Sequence, residues 1–182
     1  MLPSKEVKIS RSSLIAISLE VSIRCVVLHL LVYYLHMTLD VTAHIEIKRD
    51  SKAVAAYAFE PTNDPIWIGG ISQAKLLTQL PVSKGTQVQR RAKFMGRTID
   101  YVLEVRTLEP DHLMVMESIK SPFPMNVTYQ FDALDTGTTL AKIRVQGTAR
   151  TFYGLADFLM APMVKRNLHN DLRRLKAKME SE

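Results

Sequence analysis

Arg90 and Glu117 are the two charged residues that strand periodicity turns toward an apolar interior. Val88, Arg90, Ala92 and Phe94 share one parity in the run 86–94, and Leu113, Val115 and Glu117 share one in the run 112–118. Successive strand side chains face opposite sides, so each charge sits in register with inward apolar neighbours. An inward charge is costly unless paired. Two readings of a meeting between Arg90 and Glu117 stay open: a polar pair that orients a ligand carbonyl or hydroxyl, or a structural salt bridge reaching water at a strand end. Tyr101 and Tyr129 carry hydroxyls on the same inward faces, where a core aromatic needs a hydrogen-bond partner. Acid–base chemistry needs a carboxylate or histidine of tuned pKa inside such a cavity. Glu117 is the inward carboxylate and the candidate catalytic residue; His44 falls on a polar face, and Asp50, Asp64 and Asp100 fall in caps, turns or the outer face.

Other chemistries lack their residues. There is no GxSxG, no Walker loop and no GxGxxG, which sets aside hydrolase, nucleotide-hydrolysing and dinucleotide-binding readings. The five histidines show no HxxxH or HExxH spacing, so neither a metal nor another cofactor is expected. The one cysteine, Cys25, rules out an intramolecular disulfide framework and fits a reducing compartment. The chain has 182 residues, 47% of them apolar and 23% charged, enough for one domain with a substantial core. Its net charge of +6 favours anionic surfaces without choosing among them.

The elements that must position these side chains follow from the pattern. Residues 39–48 alternate, with Val41, Ala43, Ile45 and Ile47 on one face. Asp50 and Ser51 are N-cap residues for a short helix over 52–59, and Asn63-Asp64-Pro65 opens a second helical turn carrying Ile66 and Trp67. Strand-length runs follow at 71–79, 86–94, 98–108, 112–118, 125–133 and 138–148, separated by turn residues such as Met95-Gly96-Arg97 and Asp135-Thr136-Gly137. From Phe152 the period changes. Leu155, Leu159, Met163, Leu168, Leu172, Leu175 and Met179 recur at three- and four-residue steps, the stripe of a long amphipathic helix that Pro162 should kink or break. One antiparallel sheet must bury a face, and only that last helix is long enough to cover it.

This order resembles the helix-grip fold of the START/Bet v 1-like SRPBCC superfamily, and within it the polyketide cyclase/dehydrase-like family. The resemblance covers about residues 39–180. It rests on Gly85-Thr86 and Met95-Gly96-Arg97 around a strand pair, Glu109-Pro110-Asp111, Ser121-Pro122-Phe123-Pro124 before a strand ending Tyr129-Gln130-Phe131-Asp132, and the Arg/Leu-rich stretch 166–178. It implies an α+β fold: a curved antiparallel sheet of six to seven strands wrapped on a long C-terminal helix, with two short helices after the first strand. It also implies a cavity between sheet and helix for a small hydrophobic ligand, whether lipid, quinone, isoprenoid or polyketide-like. Alternation would line that cavity with Val88, Arg90 and Phe94, then Tyr101 and Leu103, then Glu117, then Val127, Tyr129 and Phe131. Trp67 joins from the short helix, as a gate or as packing, and Phe158, Leu159 and Met163 join from the long one. Binding is the leading expectation. The alternative is a cyclase or dehydratase using Glu117 with Arg90 or Tyr101, since the resemblance implies such groups for aldol-type ring closure. A non-catalytic interaction protein is a third reading.

Residues 38–182 are expected to be the ligand-binding domain, with 1–37 an N-terminal extension. The apolar run within 13–36 contains Glu20 and Arg24 and leaves only about ten uncharged residues, short of the roughly 20 a spanning helix needs. The extension therefore reads as a mis-assigned start, a disordered tail, or an amphipathic helix that associates with a membrane. A cytoplasmic location is expected. Lys165, Arg166, Arg173, Arg174, Lys176 and Lys178 form either the solvated face of the last helix or a peripheral contact for an anionic membrane surface. No aromatic platform accompanies them, so no nucleic-acid partner is expected.

Overall fold

The computed structural model describes residues 39–94, 96–147 and 157–181, and of 157–159 the backbone only. The expectations for residues 1–37, for Met95 in its turn, for Phe152 and Leu155, and for the side chains of Phe158 and Leu159 lie outside the described residues.

Seven strands among the described residues form one antiparallel sheet. They are β1 (Leu39–Ile47), β2 (Ile71–Leu76), β3 (Gln87–Phe94), β4 (Arg97–Glu109), β5 (Leu113–Lys120), β6 (Met125–Asp135) and β7 (Thr138–Gly147), in the order β1-β7-β6-β5-β4-β3-β2. Between β1 and β2 lie α1 (Ser51–Ala58), a short turn of helix at Pro61–Asn63, and α2 (Asp64–Trp67). The C-terminal helix α3 spans Asp157–Glu180.

Local rules account for most of these boundaries. In β1 the alternating Leu39, Val41, Ala43 and Ile47 are buried while Asp40, Thr42, His44 and Glu46 are exposed. The Asp50 carboxylate caps α1 by accepting from the Lys52 N–H. Pro61 stands in the first turn of its own short helix, where it forgoes no bond. On α3, Leu168, Leu172, Leu175 and Met179 form the buried stripe that covers the concave face. Pro162 lies inside α3, in its second turn, and the helix continues past it to Glu180.

One parity is reversed. On β5, Met114 and Met116 are buried, whereas Leu113 and Val115 are half-buried and Glu117 is exposed. Residues 113–116 are all apolar, so alternation alone has no polar marker to set its phase. Pairing sets it instead: Met114 stands opposite Tyr129 and Met116 opposite Val127, and directly opposed residues share a face. Register shifts in the β4–β5 ladder, between Val102 and Leu103 and between Val105 and Thr107, complete the change. Glu117 therefore belongs to the outer face. There Arg106 bonds it at 2.6 Å and also bonds Glu104, bridging the two carboxylates that stand opposite each other and easing their repulsion.

Candidate functional site

The inward charge on β3 finds a partner the spacing did not nominate. Arg90 is 3% exposed, and its Nε donates to Asp64 Oδ2 at 2.7 Å; Asp64, the first residue of α2, is 1% exposed. The Nη1 of Arg90 donates to the Tyr129 hydroxyl at 3.1 Å, and its guanidinium lies 6.0 Å from that ring's centroid. Trp67, three residues along α2, meets the same ring edge-on at 5.9 Å. A salt bridge, a phenol and an indole are thus stacked inside the sheet's concave face. Arg90 and Glu117 do not meet.

Charge and burial compete within this cluster. Burial pushes the Asp64 carboxyl above its ordinary value, with Arg90 pulling back the other way. Burial works against the charged form of Arg90, but Asp64 beside it more than offsets this and holds the guanidinium protonated. The Tyr129 phenol is pushed up to about 12 by burial, against the pull of Arg90, so it stays neutral. Tyr101 stands opposite Arg90 across the β3–β4 ladder and is raised by burial in the same way. Asp64 Oδ1, Trp67 Nε1 and Tyr57 Oη are buried without a hydrogen bond among the described residues.

Beside this cluster a cavity of about 410 Å³ opens between the segment 68–71, the ends of β3 and β4, and α3. Ile71, Ala92, Phe94, Tyr101, Val164 and Leu168 give it apolar walls, while Lys93, Asn167, Asn170, Asp171 and Arg174 bring polar groups. Its size falls in the range of small-molecule sites. Of the expected lining residues, Phe94 and Tyr101 border this cavity. Val88, Leu103, Val127, Tyr129, Phe131 and Trp67 are buried in the packed core instead, and Met163 is half-buried on α3. Trp67 is fully buried, which places it in packing and not at an opening.

A polar latch closes one wall of the cavity. The Asp171 carboxylate accepts from the Gly69 N–H at 2.9 Å and from Arg174 Nη2 at 2.6 Å. Arg174 Nε also donates to the Trp67 carbonyl at 3.1 Å. Burial raises the Asp171 carboxyl, with these two donors opposing. A Cβ on Gly69 would lie 1.7 Å from Arg174 Nη2, so only glycine lets the guanidinium approach this closely. Gly69→Ala should therefore lower stability by about 1 kcal/mol, the worth of a hydrogen bond. Thermal unfolding checks this, and the loss should vanish in an Arg174→Ala background, where the Cβ meets no guanidinium. The sequence held a sign of this latch: Asp171 lies three residues after Leu168 and four before Leu175, on the buried stripe. Asp64 gave no such sign, because an aspartate before a proline at a helix start reads as an ordinary first-turn acid.

Two further expectations meet the structure here. Arg174 is committed to the latch, and Lys176 bonds the Glu46 carbonyl and Glu180, so the basic face of α3 is partly consumed by intramolecular contacts. No helix among the described residues is long and apolar enough to cross a membrane.

Residues 38–180 match the family model described as polyketide cyclase / dehydrase and lipid transport. The chain belongs to that family. Its fold is shared with solved structures at low identity. The Zhui aromatase/cyclase from Streptomyces is 14% identical, with a TM-score of 0.64 over 79% of this chain and 94% of that one. A START superfamily protein from Mycobacterium smegmatis is 14% identical, with a TM-score of 0.65 over 78% and 97%. The major latex-like protein 151 of Panax ginseng is 12% identical, with a TM-score of 0.60 over 78% and 97%. No curated protein sequence matches the chain. The helix-grip α+β architecture, with its curved sheet and closing helix, is common to all of these.

Proposed function

We propose that residues 38–182 form a carrier domain that holds a small hydrophobic ligand in the cavity between β3, β4, the segment 68–71 and α3. The observation that carries this is the cavity itself: about 410 Å³, walled by Ile71, Ala92, Phe94, Tyr101, Val164 and Leu168, with polar groups at one side. Apolar walls supply affinity through buried area, and a few fixed polar groups supply orientation. Membership of a family described by lipid transport as well as cyclisation supports the ligand class. The Tyr101 hydroxyl, kept neutral by burial, is suited to bond a carbonyl or hydroxyl on the ligand.

A ring-closing enzyme would need a free proton acceptor at this cavity. Glu117 stands on the outer face with Arg106, and Asp171 is occupied by Gly69 and Arg174. Tyr101 is the one residue of the enzymatic alternative that borders the cavity, and an orienting role suits a neutral phenol better than base catalysis does.

Filling the cavity tests the proposal. Ala92 is half-buried on its wall, so Ala92→Trp should weaken binding of a naphthalene-sulfonate dye or fatty acid by about tenfold or more, the loss of roughly 1.4 kcal/mol. Circular dichroism should be unchanged. Equal binding by both proteins would place the ligand elsewhere and end the carrier reading.

A further inference from the structure

Among the described residues β1 is an edge strand, paired with β7 alone and without a register shift from Leu39 to Ile47. In an antiparallel ladder a residue points its N–H and C=O the same way, and alternate residues point to opposite sides. The Glu46 carbonyl accepts from Lys176 Nζ at 2.7 Å, and the Lys48 N–H donates to Glu180 Oε1 at 2.7 Å. Even-numbered residues therefore turn their amides away from β7, and α3 covers that edge at its C-terminal end. Thr42 and His44 share this parity. Among the described residues α3 makes no such bond to them; a groove of about 530 Å³ separates their edge from Pro162, Lys165, Arg166 and His169.

We infer that the Thr42–His44 edge of β1 is a docking site for an acidic segment of a partner protein, which adds to the sheet as an extended strand. Two consecutive outward-facing residues offer two N–H donors and two C=O acceptors, the pattern strand addition uses. The charge selects the occupant. Lys165 and Arg166 are exposed and carry no ion pair among the described residues, and the groove's lining includes no carboxylate. Asp40 and Glu46 each lie two residues beyond this pair along the strand, and Asp40 is already bonded by Arg144. A second copy of this chain is disfavoured, because pairing β1 with β1 would bring two such basic flanks together in a protein of net charge +6. A carboxylate-bearing strand satisfies both the amides and the cations.

The test uses the full chain and a labelled peptide of about eight residues alternating glutamate and valine, the length of an ordinary strand. Amide exchange by NMR is the deciding readout. The Thr42 and His44 amides should exchange fast in the free chain and slow on adding peptide, while odd-numbered β1 amides are slow throughout. Lys165→Glu with Arg166→Glu should weaken binding by about tenfold or more, and added salt should do the same to wild type. Thr42→Pro removes one outward N–H and leaves the β7 ladder whole, so it should weaken binding at unchanged charge. Four outcomes overturn the inference. One is slow exchange at both amides in the free chain, which means the edge is already covered. Another is protection that appears with dimerisation and without peptide. The third is peptide binding that leaves the two amides unprotected or is indifferent to Thr42→Pro. The last is equal competition by inorganic phosphate or phosphatidylglycerol vesicles, which would make the groove a general anion surface.

Discussion

Arg90→Met should cost about 3–5 kcal/mol of unfolding free energy, because it strands the Asp64 carboxylate in the core without its partner. Both side chains are almost wholly buried, at 3% and 1% exposure, so solvent screens neither. Among the described residues the remaining oxygen of Asp64 has no donor to fall back on. Asp64→Ala should cost a similar amount by leaving the buried guanidinium with neutral phenols and no counter-charge. Removing both at once should cost much less than the sum, since an absent pair leaves no orphan charge. A double-mutant cycle by urea denaturation would then give a coupling above about 1 kcal/mol. The companion cycle, Arg90→Met with Glu117→Gln, should be additive within about 0.3 kcal/mol, because the two residues lie on opposite faces of the sheet. Additivity in the first cycle, or coupling in the second, would mean that Arg90 does not pair with Asp64.

These contrasting cycles mark where sequence periodicity stops being informative. Strands such as β1 were legible because polar and apolar residues alternate cleanly, so the buried set could be named before any pairing was known. The long helix was legible for the same reason, through its buried stripe at Leu168, Leu172 and Leu175. β5 was not, since Leu113-Met114-Val115-Met116 carries no alternation and its phase depends on the strands to either side. The inward arginine could be read from β3, but its partner could not. Asp64 comes from α2, which reaches the concave face only after the chain has turned back over the sheet. Local spacing ranks residues within an element; it says little about which distant element arrives beside them. The cavity shows the same limit. Phe94 and Tyr101 were named from strand parity, whereas Asp171, Arg174 and Gly69 border it through a helix–loop contact that no strand pattern encodes.

Leu172→Ala should cost about 2–5 kcal/mol, since the residue is wholly buried and its loss leaves a void under the closing helix. The cost arises because Leu172 belongs to the single core cluster shared by β1, α1, β6 and α3, so no neighbouring element can relax alone to fill the space. Leu172→Met keeps the volume and should cost under about 1.5 kcal/mol. Arg173→Ala, one position along and exposed, should stay within about 0.5 kcal/mol of wild type. The three together separate burial from helix propensity, because alanine is the better helix former and would stabilise a helix that was not packed. Urea denaturation with an unchanged slope would show that the native state, not the unfolded chain, carries the difference. A loss below about 0.5 kcal/mol at Leu172 would remove α3 from the core. That result would reach the cavity as well. Asp171 precedes Leu172 directly, and the bond its carboxylate accepts from the Gly69 N–H depends on Leu172 keeping this turn of α3 seated on the sheet.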